Sequence, residues 1–218
     1  MNSDIQIYIN KLVNNPKILG VIMFGSYARG DNRKDSDIDL IVFISKGNVS
    51  RKVVERKGKT FEMIWSTPSD SLNYWKHDLD GCHNIWTDAQ ILFDRDNTVR
   101  KLQDECLKLI SKGKEKLADW NIQHREFDAK DQINAIKNLG IKDQSAANYA
   151  LHILVGKLVE LFFDMNLFWK PPAKKQIQYI REVNKEFASL LDQFYLPLND
   201  FDALLTLANK IINVIFNN

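Results

Sequence analysis

The stretch from Gly25 to Phe43, GSYARGDNRKDSDIDLIVF, joins a glycine turn to two aspartates that straddle Ile38 at the head of an apolar run. Leu40-Ile41-Val42-Phe43-Ile44 is β-branched and aromatic in character and predicts a buried strand. On a strand, residues two apart share a face, so Asp37 and Asp39 project together while Ile38 turns into the core. Side-by-side carboxylates repel. A hard divalent cation relieves the repulsion, and Mg²⁺ commonly rests on one or two carboxylates and completes its shell with substrate phosphates. Upstream, Lys17 to Phe24 predicts a second buried strand, ended by Gly25-Ser26 where a short helix through Tyr27, Ala28 and Arg29 begins. Gly25 permits close approach of backbone to a ligand, and Ser26 offers a hydroxyl to an anion such as a triphosphate. Gly30 permits the reversal towards Asp37.

Written as G-S-x₃-G-x₆-D-x-D, the segment resembles the nucleotidyltransferase superfamily that includes DNA polymerase β and the antibiotic adenylyltransferases. The likeness rests on Gly25, Ser26, Gly30, Asp37 and Asp39, with Ser36-Asp37-Ile38-Asp39-Leu40 as its core. It implies that Gly25, Ser26 and Gly30 bind the nucleotide, and that Asp37 and Asp39 are catalytic and hold two Mg²⁺ ions. ATP is the donor that the resemblance implies.

Lys59 to Ser66, KTFEMIWS, has strand character throughout, and Glu62 is its one acid. An acid between Phe61 and Met63, in a strand expected beside the D-x-D strand, is costly unless it faces a site. In families resembling this one, the following strand supplies a third carboxylate, so Glu62 joins Asp37 and Asp39 as a catalytic and metal residue. Polymerase-like members carry Asp there. The longer side chain leaves open whether Glu62 is a metal ligand or the general base.

The remaining chain places these parts. Ile5, Ile9, Leu12 and Val13 recur at helical spacing, predicting a helix over 3 to 14; Val49 to Lys57 reads as a short charged helix; Pro68 opens another over 69 to 77. The turn-rich Asp94-Arg95-Asp96-Asn97 marks a junction, with a nucleotidyltransferase domain over 1–96 and a helical domain over 97–218. Beyond it apolar residues recur at three and four, and the segment 145 to 169 is apolar on more than one face, as the central helix of a bundle is. The expected fold class is α+β: a mixed sheet with flanking helices, then an all-α bundle. The bundle resembles the helical domains of aminoglycoside and related nucleotidyltransferases only in being helical, and the cleft between sheet and bundle is the expected place for an acceptor.

A net charge of +2 argues against a long nucleic-acid footprint. Cys82 and Cys106 form no metal-spaced pair and suit a reducing cytosol, and no signal peptide or membrane span is expected. The resemblance therefore implies a cytoplasmic enzyme that moves AMP from ATP to the hydroxyl of a small-molecule acceptor. One alternative is adenylylation of a protein partner, as in antitoxin-like members, which usually stand alone beside a separate helical protein. Another is a silent nucleotide-binding regulatory module, against which stands an acidic cluster that costs stability without a cation.

Overall fold

The computed structural model describes residues 3–196 and 200–216. The chain divides into two compact units, Met1–Gly113 and Lys114–Asn218.

The first unit is built on a five-stranded mixed sheet. Its strands are β1 (Ile18–Phe24), β2 (Ile38–Ile44), β3 (Ser50–Arg56), β4 (Lys59–Ser66) and β5 (Gln90–Asp94), in the order β3-β4-β2-β1-β5. β2 and β4 run parallel, while β1 pairs antiparallel with both β2 and β5, and β3 with β4. Period-two side chains divide β2 between two cores. Ile38, Leu40 and Val42 meet Ile5, Tyr8 and Ile9 of α1 (Ser3–Val13) on one face. Ile41 and Phe43 meet Trp75 of α3 (Pro68–His77), Trp86 of α4 (Leu79–Trp86) and Val99 of α5 (Thr98–Ile110) on the other. A five-residue helix, α2 (Gly25–Arg29), links β1 to the loop before β2.

Val49 to Lys57, expected as a helix, instead contains edge strand β3. Lys57 and Gly58 both take positive φ, 49° and 70°, the pair of left-handed residues that closes a two-residue hairpin onto β4. Six of the seven β3 residues are exposed, so the strand lacks the apolar alternation that would have revealed it. α4 was also illegible; Asp78 caps it, its carboxylate accepting from the Gly81 amide at 2.9 Å.

The first unit also runs past the turn at which the sequence placed the junction. The Asp94 carboxylate accepts from the amides of Val99 at 2.8 Å and Arg100 at 3.2 Å, so the turn binds α5 to the end of β5. Val99, Leu102 and Cys106 then bury against the sheet, and Gly20 of β1 has no room for a Cβ beneath Val99. A polar, turn-rich stretch is here a helix start, not a linker.

The second unit holds α6 (Asp119–Gly140), α7 (Gln144–Met165), α8 (Ala173–Val183), α9 (Lys185–Phe194) and α10 (Phe201–Phe216). α7 buries nine residues, among them Leu151, Leu158 and Phe162, in a core shared with Ile133, Phe187 and Ile211. Among the described residues α7 is the one helix long and apolar enough to cross a membrane, and half of its apolar window is buried in protein. That burial is what a bundle's central helix requires.

Candidate active site

Asp39 is the second residue of β2 and Glu62 the fourth of β4, and the parallel register sets them directly opposite each other. Ile38 and Leu40 on one strand, and Phe61 and Met63 on the other, turn into the α1 core, so both acids face the opposite side. Parallel neighbours lie about 4.8 Å apart, close enough for the two carboxylates to share a ligand. Asp37 lies one residue before β2 and is exposed, at the approach to the pair. Glu62 and Asp39 are half-buried.

Phe24, the last residue of β1, pairs with Asp39, so the glycine turn begins beside that acid. Gly25 has φ +72°, and a Cβ there would collide with the Asp39 carboxylate. Glycine is therefore required twice, by backbone conformation and by proximity. The Ser26 carbonyl accepts from the amides of Gly30 at 2.9 Å and Asp31 at 3.1 Å, which closes the turn, and Gly30 takes φ 80° as the left-handed cap of α2. Ser26 is half-buried on this turn. Gly25 thus borders Asp39 from the β1 side, with Ser26 next in the turn, while Glu62 flanks it from the β4 side.

Two neighbours, Arg51 and Lys59, could not be read from sequence. Arg51 of β3 forms an ion pair with Glu62, a contact invisible while that segment read as a helix. Lys59, at the start of β4, donates to the Tyr27 hydroxyl of α2 at 2.6 Å and ties the turn to that strand. Arg29 reaches Asp31 and Asp88 at 3.2 and 3.8 Å, and Arg33 reaches Asp35 at 3.1 Å, so each has a protein partner.

The donor set is oxygen only, which suits a hard cation such as Mg²⁺. Among the described residues no group of three or more His, Cys, Asp or Glu side chains converges as a ready-made metal cage. Asp39 and Glu62 in register, with Asp37 near them, fit a cation that takes its other ligands from phosphate and water. Arg51 is 70% exposed, so its pair with Glu62 contributes under about 1 kcal/mol to stability. Arg51→Ala should leave the melting temperature within a few degrees of wild type. It should also tighten Mn²⁺ binding, measured calorimetrically, by roughly twofold to fivefold, because a competing cation is removed. Weaker Mn²⁺ binding in the variant would contradict this placement.

Residues 6–98 match the family described as polymerase beta, nucleotidyltransferase. A nucleotidyltransferase-like protein from Exiguobacterium sibiricum 255-15 superposes with a TM-score of 0.54 at 13% identity, covering 95% of this chain and 71% of that one. At that identity the likeness is one of fold. A toxin-antitoxin structure with AMP-PNP shares 17% identity over 63% of this chain and 99% of its own, with a TM-score of 0.32. No curated protein matches the sequence.

Proposed function

We propose that this chain, whose residues 6–98 match the polymerase beta, nucleotidyltransferase family, moves AMP from ATP to the hydroxyl of a small-molecule acceptor and releases pyrophosphate. The observation that carries this reading is the Asp39–Glu62 register with Gly25 closed against Asp39, which brings two carboxylates and the start of the glycine turn together.

The turn would hold the β- and γ-phosphates through its backbone and the Ser26 hydroxyl, on the β1 side of Asp39. In-line displacement then places the attacking oxygen on the other side, where Glu62 stands. The acceptor oxygen bonds to the α-phosphorus as the bond to the bridging oxygen breaks, and that electron pair leaves with pyrophosphate. Glu62 takes the hydroxyl proton. A divalent cation held by Asp37 and Asp39, with Glu62 beside them, would when bound neutralise charge on the phosphates and lower the hydroxyl's pKa.

The test is pyrophosphate release from ATP, GTP, CTP or UTP with Mg²⁺ and a panel of hydroxyl compounds. ATP with at least one acceptor should release pyrophosphate, and EDTA should abolish the release. Silence with all four nucleotides across the panel would remove the reading.

A further inference from the structure

We propose that the acceptor sits in a pocket of the first unit, beside the carboxylate pair, and that it is a small, largely apolar alcohol, aryl or alicyclic, not a polycationic sugar. The proposal rests on the nucleotidyl-transfer reading and adds the substrate class to it.

Position comes first. Ile41 and Ile64 line this pocket, and they are the next residues after Asp39 and Glu62 on the same sheet face. Two residues along a strand is about 6.6 Å, the span of one ring. α3 supplies another wall through Ser71, Tyr74 and Trp75, and Val49 leads into β3. The pocket therefore lies on β2, β4 and the approach to β3, whereas the phosphate turn follows β1. Attack in line with departure of pyrophosphate needs the acceptor on the side of the α-phosphorus away from the turn, which is the pocket's side.

Chemistry gives the class. The cavity measures about 290 Å³, at the small end of ligand sites, and its lining is chiefly apolar and aromatic. Ser66 and Ser71, 3% and 7% exposed, are the only Ser, Thr, Asn, Gln or charged residues buried among the described residues, and both line this pocket. The Ser66 hydroxyl donates to the Thr67 carbonyl at 3.1 Å and keeps its lone pairs, so the two serines can orient a ligand that carries one or two polar groups. The single charged lining residue is Asp70, exposed and hydrogen-bonded to the Thr67 hydroxyl at 2.7 Å, and one carboxylate can pair with only one of a polycation's charges. An alcohol bound here projects its oxygen towards Glu62; its O–H proton passes to Glu62 as the new O–P bond forms and pyrophosphate departs with the electrons of the broken bond.

The probe is 2-naphthol, titrated into the full chain by calorimetry with and without MgATP, with kanamycin as the polycationic control. Saturable 2-naphthol binding is expected, undisturbed by kanamycin. Tyr74→Ala, at the exposed rim, and Ile64→Trp, which fills the floor, should each weaken it at least about tenfold, the scale at which small changes in an apolar pocket are read. No binding, or equal binding in both pocket variants, overturns the proposal. MgATP competing with 2-naphthol overturns it too, by assigning the pocket to the donor's base. Pocket binding without pyrophosphate release from any nucleotide supports the ligand class and sinks the transferase reading. Transfer to acceptors that ignores both pocket variants overturns the pocket alone.

Discussion

Asp39→Asn should lower pyrophosphate release by at least about 10³-fold, the scale at which loss of one preorganised electrostatic group at a transition state is felt. That corresponds to about 4 kcal/mol of lost stabilisation. The reason is local. Asp39 is the one acid that touches both halves of the site, with Gly25 against its carboxylate and Glu62 opposite it across the strands. Asparagine preserves the shape and removes the charge, so the chain should fold as before. Its melting temperature should stay within a few degrees of wild type, because the replacement is isosteric. A variant with more than about a tenth of wild-type turnover would show that the carboxylate is not at the reaction centre, whereas reduced turnover accompanied by unfolding would be uninformative about chemistry. Circular dichroism on the same sample separates the two.

Gly25→Ala should be the second most damaging change, and for a different reason. The residue sits at φ +72°, where a Cβ costs about 1 kcal/mol, and the added methyl would also strike the Asp39 carboxylate. A stability loss of about 1–3 kcal/mol is expected. Displacing Asp39 by even about 1 Å should cost roughly 10²-fold in turnover, as orientation effects do. Gly30→Ala provides the comparison, since Gly30 has φ +80° but open space where its Cβ would point. It should show a similar conformational cost and a much smaller loss of turnover. Equal activity losses in the two variants would mean that strain in the turn, and not contact with Asp39, governs the site.

Much of this architecture was written in short-range pattern. The β1 and β2 segments, the α2 turn between them, the alternation that sets Asp39 apart from Ile38 and Leu40, and the strand that carries Glu62 each follow from residues a few positions apart. The helical second half was equally legible, because α7 is apolar around much of its circumference and three-and-four spacing persists in its neighbours. What failed was whatever drew its identity from a distant partner. β3 is rich in charge and exposes both sides, so only its hydrogen bonds to β4 make it a strand. The Asp94–Asn97 turn has the composition of a linker, and only the Asp94 carboxylate bonded to the head of α5 makes it an anchor.

The same division runs through the site. From residue order alone come the two aspartates on one face, the glycine bend ahead of them and an acid in the later strand, since strand periodicity and turn stereochemistry are local properties of the backbone. Tertiary structure alone decided that Glu62 stands level with Asp39, that Arg51 reaches it, and that Gly25 lies against the carboxylate. The first depends on the parallel register of β2 and β4, strands that are not consecutive in sequence, and the other two on the antiparallel registers of β3 with β4 and of β1 with β2; register is set by packing on the two faces of the sheet and not by any residue's own preference.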